Sequence, residues 1–337
     1  MDLMEDMRER AKQDVQKVAF FEGENPTMIK AVAECQATGV AVCTVVGDAA
    51  AIRANAEAQG VSLEGVTLVD LADEEANEAF AQRYEALPTC PWKSKGVRRR
   101  VVRPMERALM MQALGDVDVT FGGIDSPTGD VILGGQTIIG LADGIDVISS
   151  VGIFDIPGYE GSAGQLLGFG DSAVCQNPTP EQEASIAISA CETWQALTGT
   201  EARCALLSFS TCGSGSGDMV KKVQAARDIA QDRRPDLAID GEFQLDSAIS
   251  PKVAAHKVKR ESAVAGQANI VIWPDLNCGN VGVKLVQQFG HANAYRPMLQ
   301  GFKKIVCDCS RSAPVPEIVG NVVMSCVRSQ ALKAKEA

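Results

Sequence analysis

The chain has 337 residues, 46% hydrophobic and 22% charged, which suits two domains with real cores and excludes a disordered protein. A formal net charge of −11 excludes a nucleic-acid partner, which would need clustered Lys and Arg, and no apolar run approaches the roughly 18 residues of a membrane span. Eleven cysteines without paired spacing read as free thiols in a reducing cytoplasm.

The charged opening MDLMEDMRERAKQD has a helical period and lacks the apolar core of a signal peptide. KVAFFEG (17–23) reads as a buried strand, followed by the helix NPTMIKAVAECQATG with Ile29, Val32 and Ala33 on one face. AVCTVVGD (41–48) is the next strand and AAAIRANAEAQG the next helix; VTLVDL, VDVTFGG and DVISSVGIF continue the strands. Between them KSKGVRRRVVRPMER, Lys93 to Arg107, is a basic island, either a solvated face or a site for one small polyanion. Residues 178–199 form a long helix with Pro near its start and Gly after its end. ARCALLSFST (202–211) is a strand, GDMVKKVQAARDIAQD a helix and DLAIDGE a strand. NIVIWPD (269–275) leads into the helix NVGVKLVQQFG, and KKIVCDC into a final helix from Pro316. Val- and Ile-rich strands without polar alternation are buried on both faces. The fold class is therefore α/β, with two doubly wound, three-layer domains and mostly parallel sheets. The expected boundaries are 1–145 plus 297–337 for a discontinuous first domain and 146–296 for the second.

In such sheets ligands sit beyond the carboxyl ends of the strands. SFSTCGSGSGDM (208–219) places hydroxyls and glycines before a helix, a cradle for phosphate or a flexible connection. Its glycines at 213, 215 and 217 do not match a dinucleotide fingerprint, although Asp240 stands at the distance of a ribose carboxylate. In PDLNCGNVGVKL (274–285) Asp275, Asn277 and Asn280 surround a helix start, as ligand groups or as caps. Glu242 and Asp246 read as turn and cap residues. KKIVCDCSRSAPVPE (303–317) ends a strand with Cys307 and Cys309 on one face, then sets Ser310 beside Arg311. Ser310 could cap the following helix. A zinc site would need further ligands, and the two histidines, His256 and His291, have no such spacing, so no metal is expected.

Taken in order, FFEGEN, CQNPTPEQEASIAISACET, ALLSFST, PDLAIDGEFQLDSAI, SAVAGQANIVIWPDLNCGNVGVKLVQ, LQGFKK and DCSRS resemble the phosphate acetyl/butyryl transferase family over most of the chain. The resemblance implies an acyltransferase that converts acyl-CoA and phosphate to acyl phosphate and CoA in a cleft between two α/β domains, usually as a homodimer. It implies small-molecule substrates with CoA among them, no cofactor, and no nucleic acid or membrane partner. The catalytic residues it implies are Ser310 and Arg311, with Glu317 as base for the CoA thiol, seven residues past the serine. Substrate binding falls to Ser210, Thr211, Gly213, Ser214, Asp275, Asn277, Asn280 and Lys284.

The chain also departs from the family pattern. Glu317 stands where the acetyl enzymes carry Asp, Cys212 where Lys is common, and Leu133 and Trp92 where arginines help to hold CoA. Two alternatives follow: phosphorolysis of another thioester, protein-bound or on a different carrier, or a silent homologue that serves as a binding partner.

Overall fold

The computed structural model describes residues 2–336; Met1 and Ala337, the two ends of the expected first domain, lie outside them. Its strands in chain order are β1 (Gln16–Phe20), β2 (Ala41–Gly47), β3 (Thr67–Asp70), β4 (Val119–Gly122), β5 (Ser149–Asp155), β6 (Leu166–Gly170), β7 (Arg203–Leu207), β8 (Ala238–Phe243), β9 (Ile270–Ile272), β10 (Asn293–Gln300) and β11 (Ile305–Asp308). They form two sheets, one in each of two compact units. One unit runs to Gly140 and resumes at Phe302; the other is Leu141–Gly301. No helix among the described residues is long and apolar enough to cross a membrane.

In the first unit the order is β11-β4-β1-β2-β3, and every pairing is parallel. Val18, Phe20, Cys43, Val45, Val119 and Phe121 are buried, and the Phe20 and Phe121 rings lie 5.6 Å apart. The helix Pro26–Ala37 starts where Asn25 Oδ1 accepts from the N–H groups of Thr27 and Met28, with Pro26 supplying a preset first turn. Helix Val315–Glu336 buries Ile318, Val319, Val322, Val323, Cys326 and Val327, a stripe of helical spacing, and packs on the helices Leu3–Gln13 and Pro26–Ala37 and on β1, β4 and β11.

The second unit has the order β10-β5-β6-β9-β7-β8. β6, β9, β7 and β8 are parallel, whereas β10, β5 and β6 pair antiparallel. The antiparallel edge strand β10 holds Pro297 at a register shift between Tyr295 and Met298. Proline has no N–H to give a ladder, so it is tolerated at an edge and at an irregularity, not in a central strand. Helix Pro180–Thr198 begins with a reciprocal capping box of Thr179 and Gln182, ends at Gly199, and buries Ile186, Ile188, Cys191 and Trp194. Helix Leu276–Phe289 starts four residues before the expected Asn280, because Asp275 caps it through the Cys278 N–H at 3.0 Å.

Candidate active site

In the first unit the carboxyl ends of β1, β4 and β11 lie side by side. Glu22, two residues past β1, accepts from the backbone N–H groups of Ile124 (2.8 Å), Asp125 (3.1 Å) and Ser126 (2.8 Å). One carboxylate thus pins the loop leaving β4, and Asn25 Nδ2 holds Asp125 at 3.1 Å. The β4 and β11 exits then touch. Cys309 N–H donates to Gly122 O at 2.9 Å, and a Cβ at Gly123, whose φ is +101°, would come within 2.9 Å of Asp308 Cβ and Cys309 N. Thr128 Oγ1 donates to Asp308 Oδ2 at 2.6 Å; burial pushes the Asp308 carboxyl up, and that hydrogen bond partly offsets it.

This frame presents Ser310 and Arg311. Ser310 is half-buried, with Oγ 3.3 Å from Ser312 Oγ, and Ala313 N–H closes the turn onto Ser310 O at 2.9 Å. Its hydroxyl does not cap the last helix. The Arg311 guanidinium is exposed and has no hydrogen-bond or ion-pair partner among the described residues. An unengaged fork beside a hydroxyl suits a tetrahedral oxyanion or a phosphate. Glu317 is half-buried in the first turn of helix Val315–Glu336. Cys307 and Cys309 face inward, and burial pushes the Cys307 thiol up to about 12.

Helix Thr128–Ile138 starts at that loop and leads to a cavity of about 470 Å³ whose lining includes Trp92, Arg100, Arg103 and Leu133, with Glu106 and Asp130 as its carboxylates. Arg100 stacks on Trp92 at 4.3 Å from the ring centroid and donates to Gly96 O at 3.1 Å. Leu133 is 64% exposed at its mouth. The basic island is therefore divided. Arg98 is bound by Glu78 and Glu85, and Arg107 is buried, so neither is an open surface cation; Arg100 and Arg103 line the cavity, Arg103 paired with Glu106 at 3.2 Å.

In the second unit the loop after β7 is braced from within. Ser210, fully buried, donates to Glu242 Oε1 at 2.9 Å and accepts from Gly215 N–H at 3.0 Å. Gly213 N–H donates to the same carboxylate oxygen at 2.7 Å, and Gln224 Nε2 donates to the other at 3.0 Å. Burial pushes Glu242 up, but the donors from Gly213, Gln224 and Ser210 outweigh it and hold the carboxyl below its ordinary value. Glu242 is thus the brace of this loop and not a turn residue. Thr211 is buried too, accepting from Gln244 N–H at 2.9 Å and donating to Ser247 Oγ at 3.2 Å. The groups left at the surface are Ser214, Ser216 and the start of helix Asp218–Arg233, which has no side-chain cap. Asp275 spends its Oδ1 on the cap described above. Asn277, Asn280 and Lys284 are exposed at i, i+3 and i+7 of helix Leu276–Phe289, so they share one face. Asp240, at the distance of a ribose carboxylate in the sequence, is held by Arg260 at 2.6 and 2.7 Å.

Sequence reasoning gave no role to Glu183. It is fully buried in helix Pro180–Thr198, and neither carboxylate oxygen has a hydrogen-bond partner. Lys222 Nζ lies 3.5 Å from Oε2 and donates instead to Pro274 O. Burial pushes the Glu183 carboxyl up to about 7, Lys222 pulls it down and Asp275 raises it. It stands in the acidic first turn of that helix beside Glu181, where a glutamate is ordinary, so the sequence carries no signal of its burial.

Oxyanion-suited loops at the carboxyl ends of parallel strands define this chain as a doubly wound α/β enzyme of acyl or phosphate transfer. The family model described as phosphate acetyl/butaryl (butyryl) transferase matches residues 2–326, and the chain belongs to that family. It is 38% identical to a phosphate acetyltransferase of Clostridium acetobutylicum over 98% of this chain and 99% of that one. Among solved structures it is similar to a phosphotransacetylase from Streptococcus pyogenes, at 30% identity and a TM-score of 0.87 over 98% of both chains. It is also similar to the EutD phosphotransacetylase of Staphylococcus aureus, at 27% identity and a TM-score of 0.87 over 97% of this chain and 98% of that one.

Proposed function

We propose that this chain interconverts a short-chain acyl-CoA and phosphate with acyl phosphate and CoA. The observation that carries the reading is the Ser310–Arg311 pair, held out by the braced exits of β4 and β11 with the guanidinium unengaged. In the direction of acyl-CoA synthesis the CoA thiolate attacks the carbonyl carbon of the acyl phosphate. The carbonyl electron pair moves to oxygen; as it returns, the C–O bond to phosphate breaks and phosphate leaves with that pair. Arg311 stabilises the charge on both kinds of oxygen, and Ser310 donates to the carbonyl oxygen. Glu317 takes the thiol proton. A free thiol has a pKa near 8.5, so a base raises the thiolate fraction at neutral pH. No cofactor is required; the exposed groups at Ser214, Asn277, Asn280 and Lys284 serve substrate binding.

The cavity at Trp92 takes the adenosine end of CoA. Arg100, which has no carboxylate partner among the described residues, supplies the phosphate contact that Leu133 lacks; Arg103, exchanging Glu106 for phosphate, adds a second, and the indole supplies a stacking face. Helix Thr128–Ile138 runs from the Asp308 contact to this cavity, and five to nine residues at 1.5 Å each separate the two by about 8–14 Å. The thiol arm of one CoA thus has a path to Ser310 within a single unit. The test is an assay of thiol released from a panel of acyl-CoAs with and without phosphate. Phosphate-dependent release that peaks at a short acyl group is expected, and release indifferent to phosphate would remove the assignment.

We also infer a homodimer of the cytoplasm, supported by the free cysteines and by an apolar stripe. Val281, Leu285 and Phe289 are exposed at i, i+4 and i+8 of helix Leu276–Phe289, with Phe289 79% accessible. Phe289→Glu is expected to convert a dimer to a monomer by light scattering. A dimer mass unchanged by the substitution would place the contact on another surface.

A further inference from the structure

The first unit has a second cavity, of about 410 Å³, away from the Ser310 loop. Its floor is the face of β2 and β3 that carries Val42, Thr44, Thr67 and Val69, and its walls include Phe80 and Arg107. Val42 is 41% exposed there, unusual for a strand whose other side is packed. Lys17 and Val42 lie in the amino-terminal halves of β1 and β2, Thr44 and its register partner Thr67 lie at mid-sheet, and Val69 is two residues further on, whereas Ser310 follows the carboxyl end of β11. The cavity is centred on β2 and β3 at one edge of the sheet, and the acyl-transfer loop follows β11 at the other edge.

Arg107 sets its chemistry. The side chain comes from helix Pro104–Leu114 and the residue is 5% exposed. The guanidinium lies flat on Phe80 at 3.6 Å from the ring centroid, and Nη1 donates to Asn77 Oδ1 at 3.1 Å. Nε has no partner, and no carboxylate among the described residues pairs with this cation. The nearby Asp116 is taken by Arg83 at 2.8 Å. Burial lowers the Arg107 pKa to about 10, with Asp116 opposing that shift and Arg83 adding to it. A buried cation without a counter-ion is costly unless something anionic can join it. The cavity is otherwise suited to a compact body, with two threonine hydroxyls as donors and Val42, Val69, Met111 and Val117 as apolar contacts.

We infer that this cavity binds a small organic carboxylate, whose head group pairs with Arg107 and whose apolar body rests on the β2–β3 face. Lys17 and Arg83 at the rim leave the lining with a cationic excess over Asp116, which favours an anion over a neutral ligand. A guanidinium edge matches a planar carboxylate better than it matches any neutral group.

The experiment is thermal unfolding of the full chain with sodium acetate, succinate or benzoate, with benzamide as the neutral control and sodium chloride at matched ionic strength. At least one carboxylate is expected to raise the midpoint, by linkage of binding to the folded state, and benzamide is not. In Arg107→Met the affinity read from the shift should fall about tenfold or more, the scale of one charged hydrogen bond. The shift should persist in Arg311→Ala, because the acyl-transfer loop is elsewhere. If Arg107→Met does not fold, Thr44→Val and Lys17→Gln decide, and each should weaken the shift. The inference is overturned by the absence of any carboxylate shift. It is overturned equally by a shift the same size in the variants, or by one lost in Arg311→Ala instead.

Discussion

Arg311→Ala is expected to lower turnover by about two to three orders of magnitude, the usual loss when one strong transition-state donor is removed. The side chain is exposed and unengaged among the described residues, so its loss disturbs no packing and the variant should fold normally. Ser310→Ala should cost less, on the order of tenfold to a hundredfold, because a neutral donor contributes less than a charged one. Glu317→Gln should lower turnover, with the affinity for acyl phosphate little changed. A folded Arg311→Ala protein with near-normal turnover would sink the assignment of the centre. Unchanged turnover in Glu317→Gln would leave that residue only its place in the first turn of the last helix.

Glu183→Leu is expected to stabilise the protein at pH 8 and to flatten its stability between pH 5 and 8. The folded-state carboxyl lies near 7 against an ordinary value of 4.5, so the folded chain binds the proton more tightly than the unfolded chain. The sign follows: the stabilisation is complete below about pH 4.5, declines as pH rises, and is lost above about 7. A shift of that size corresponds to about 3 kcal/mol, which the ionised, unsolvated carboxylate costs at pH 8. That shift already includes the pull of Lys222, 3.5 Å away, and leucine leaves this cation without its carboxylate, so a gain of about 1–3 kcal/mol is expected on replacement. Lys222 keeps its bond to Pro274 O. Denaturant unfolding of both proteins at pH 5, 6, 7 and 8 provides the comparison. Parallel stability curves would show that Glu183 does not titrate in this range.

The parallel framework was legible because runs such as VAFF, VCTVV and VTFG have no polar alternation, and only strands covered on both faces read that way. β6, with the sequence LLGFG, and β10, with Pro297, were not. Glycine and proline both argue against a strand locally, and here they are tolerated through neighbours distant in sequence. The helices between Glu74 and Ile138 were also missed: Glu74–Glu85 is mostly polar, Ser94–Arg98 and the start of Pro104–Leu114 fall in the basic island, and Thr128–Ile138 carries three glycines. In the site, Ser310 and Arg311 drew notice by their place after a strand, but their roles and that of Glu317 came from the resemblance to the family pattern. Glu22 and Glu242 were not legible, since their partners lie about 100 and 30 residues away and only the folded sheet brings them together. The same holds for Ser210 and Thr211. A hydroxyl in a Gly/Ser loop looks open in sequence, and only burial shows that its hydrogen bonds are spent inside.

The claim that this chain exchanges an acyl group between CoA and phosphate is tested most directly by the Michaelis constant for CoA, measured with acetyl phosphate beside that for CoA lacking its 3′-phosphate. The Trp92 cavity with Arg100 and Arg103 predicts a low value for CoA that rises about tenfold or more when the phosphate is removed, the scale of one charge-assisted contact. The difference should shrink in Arg100→Gln and at high salt. Equal and high values for both compounds would contradict the account and assign the acyl group to another thiol carrier.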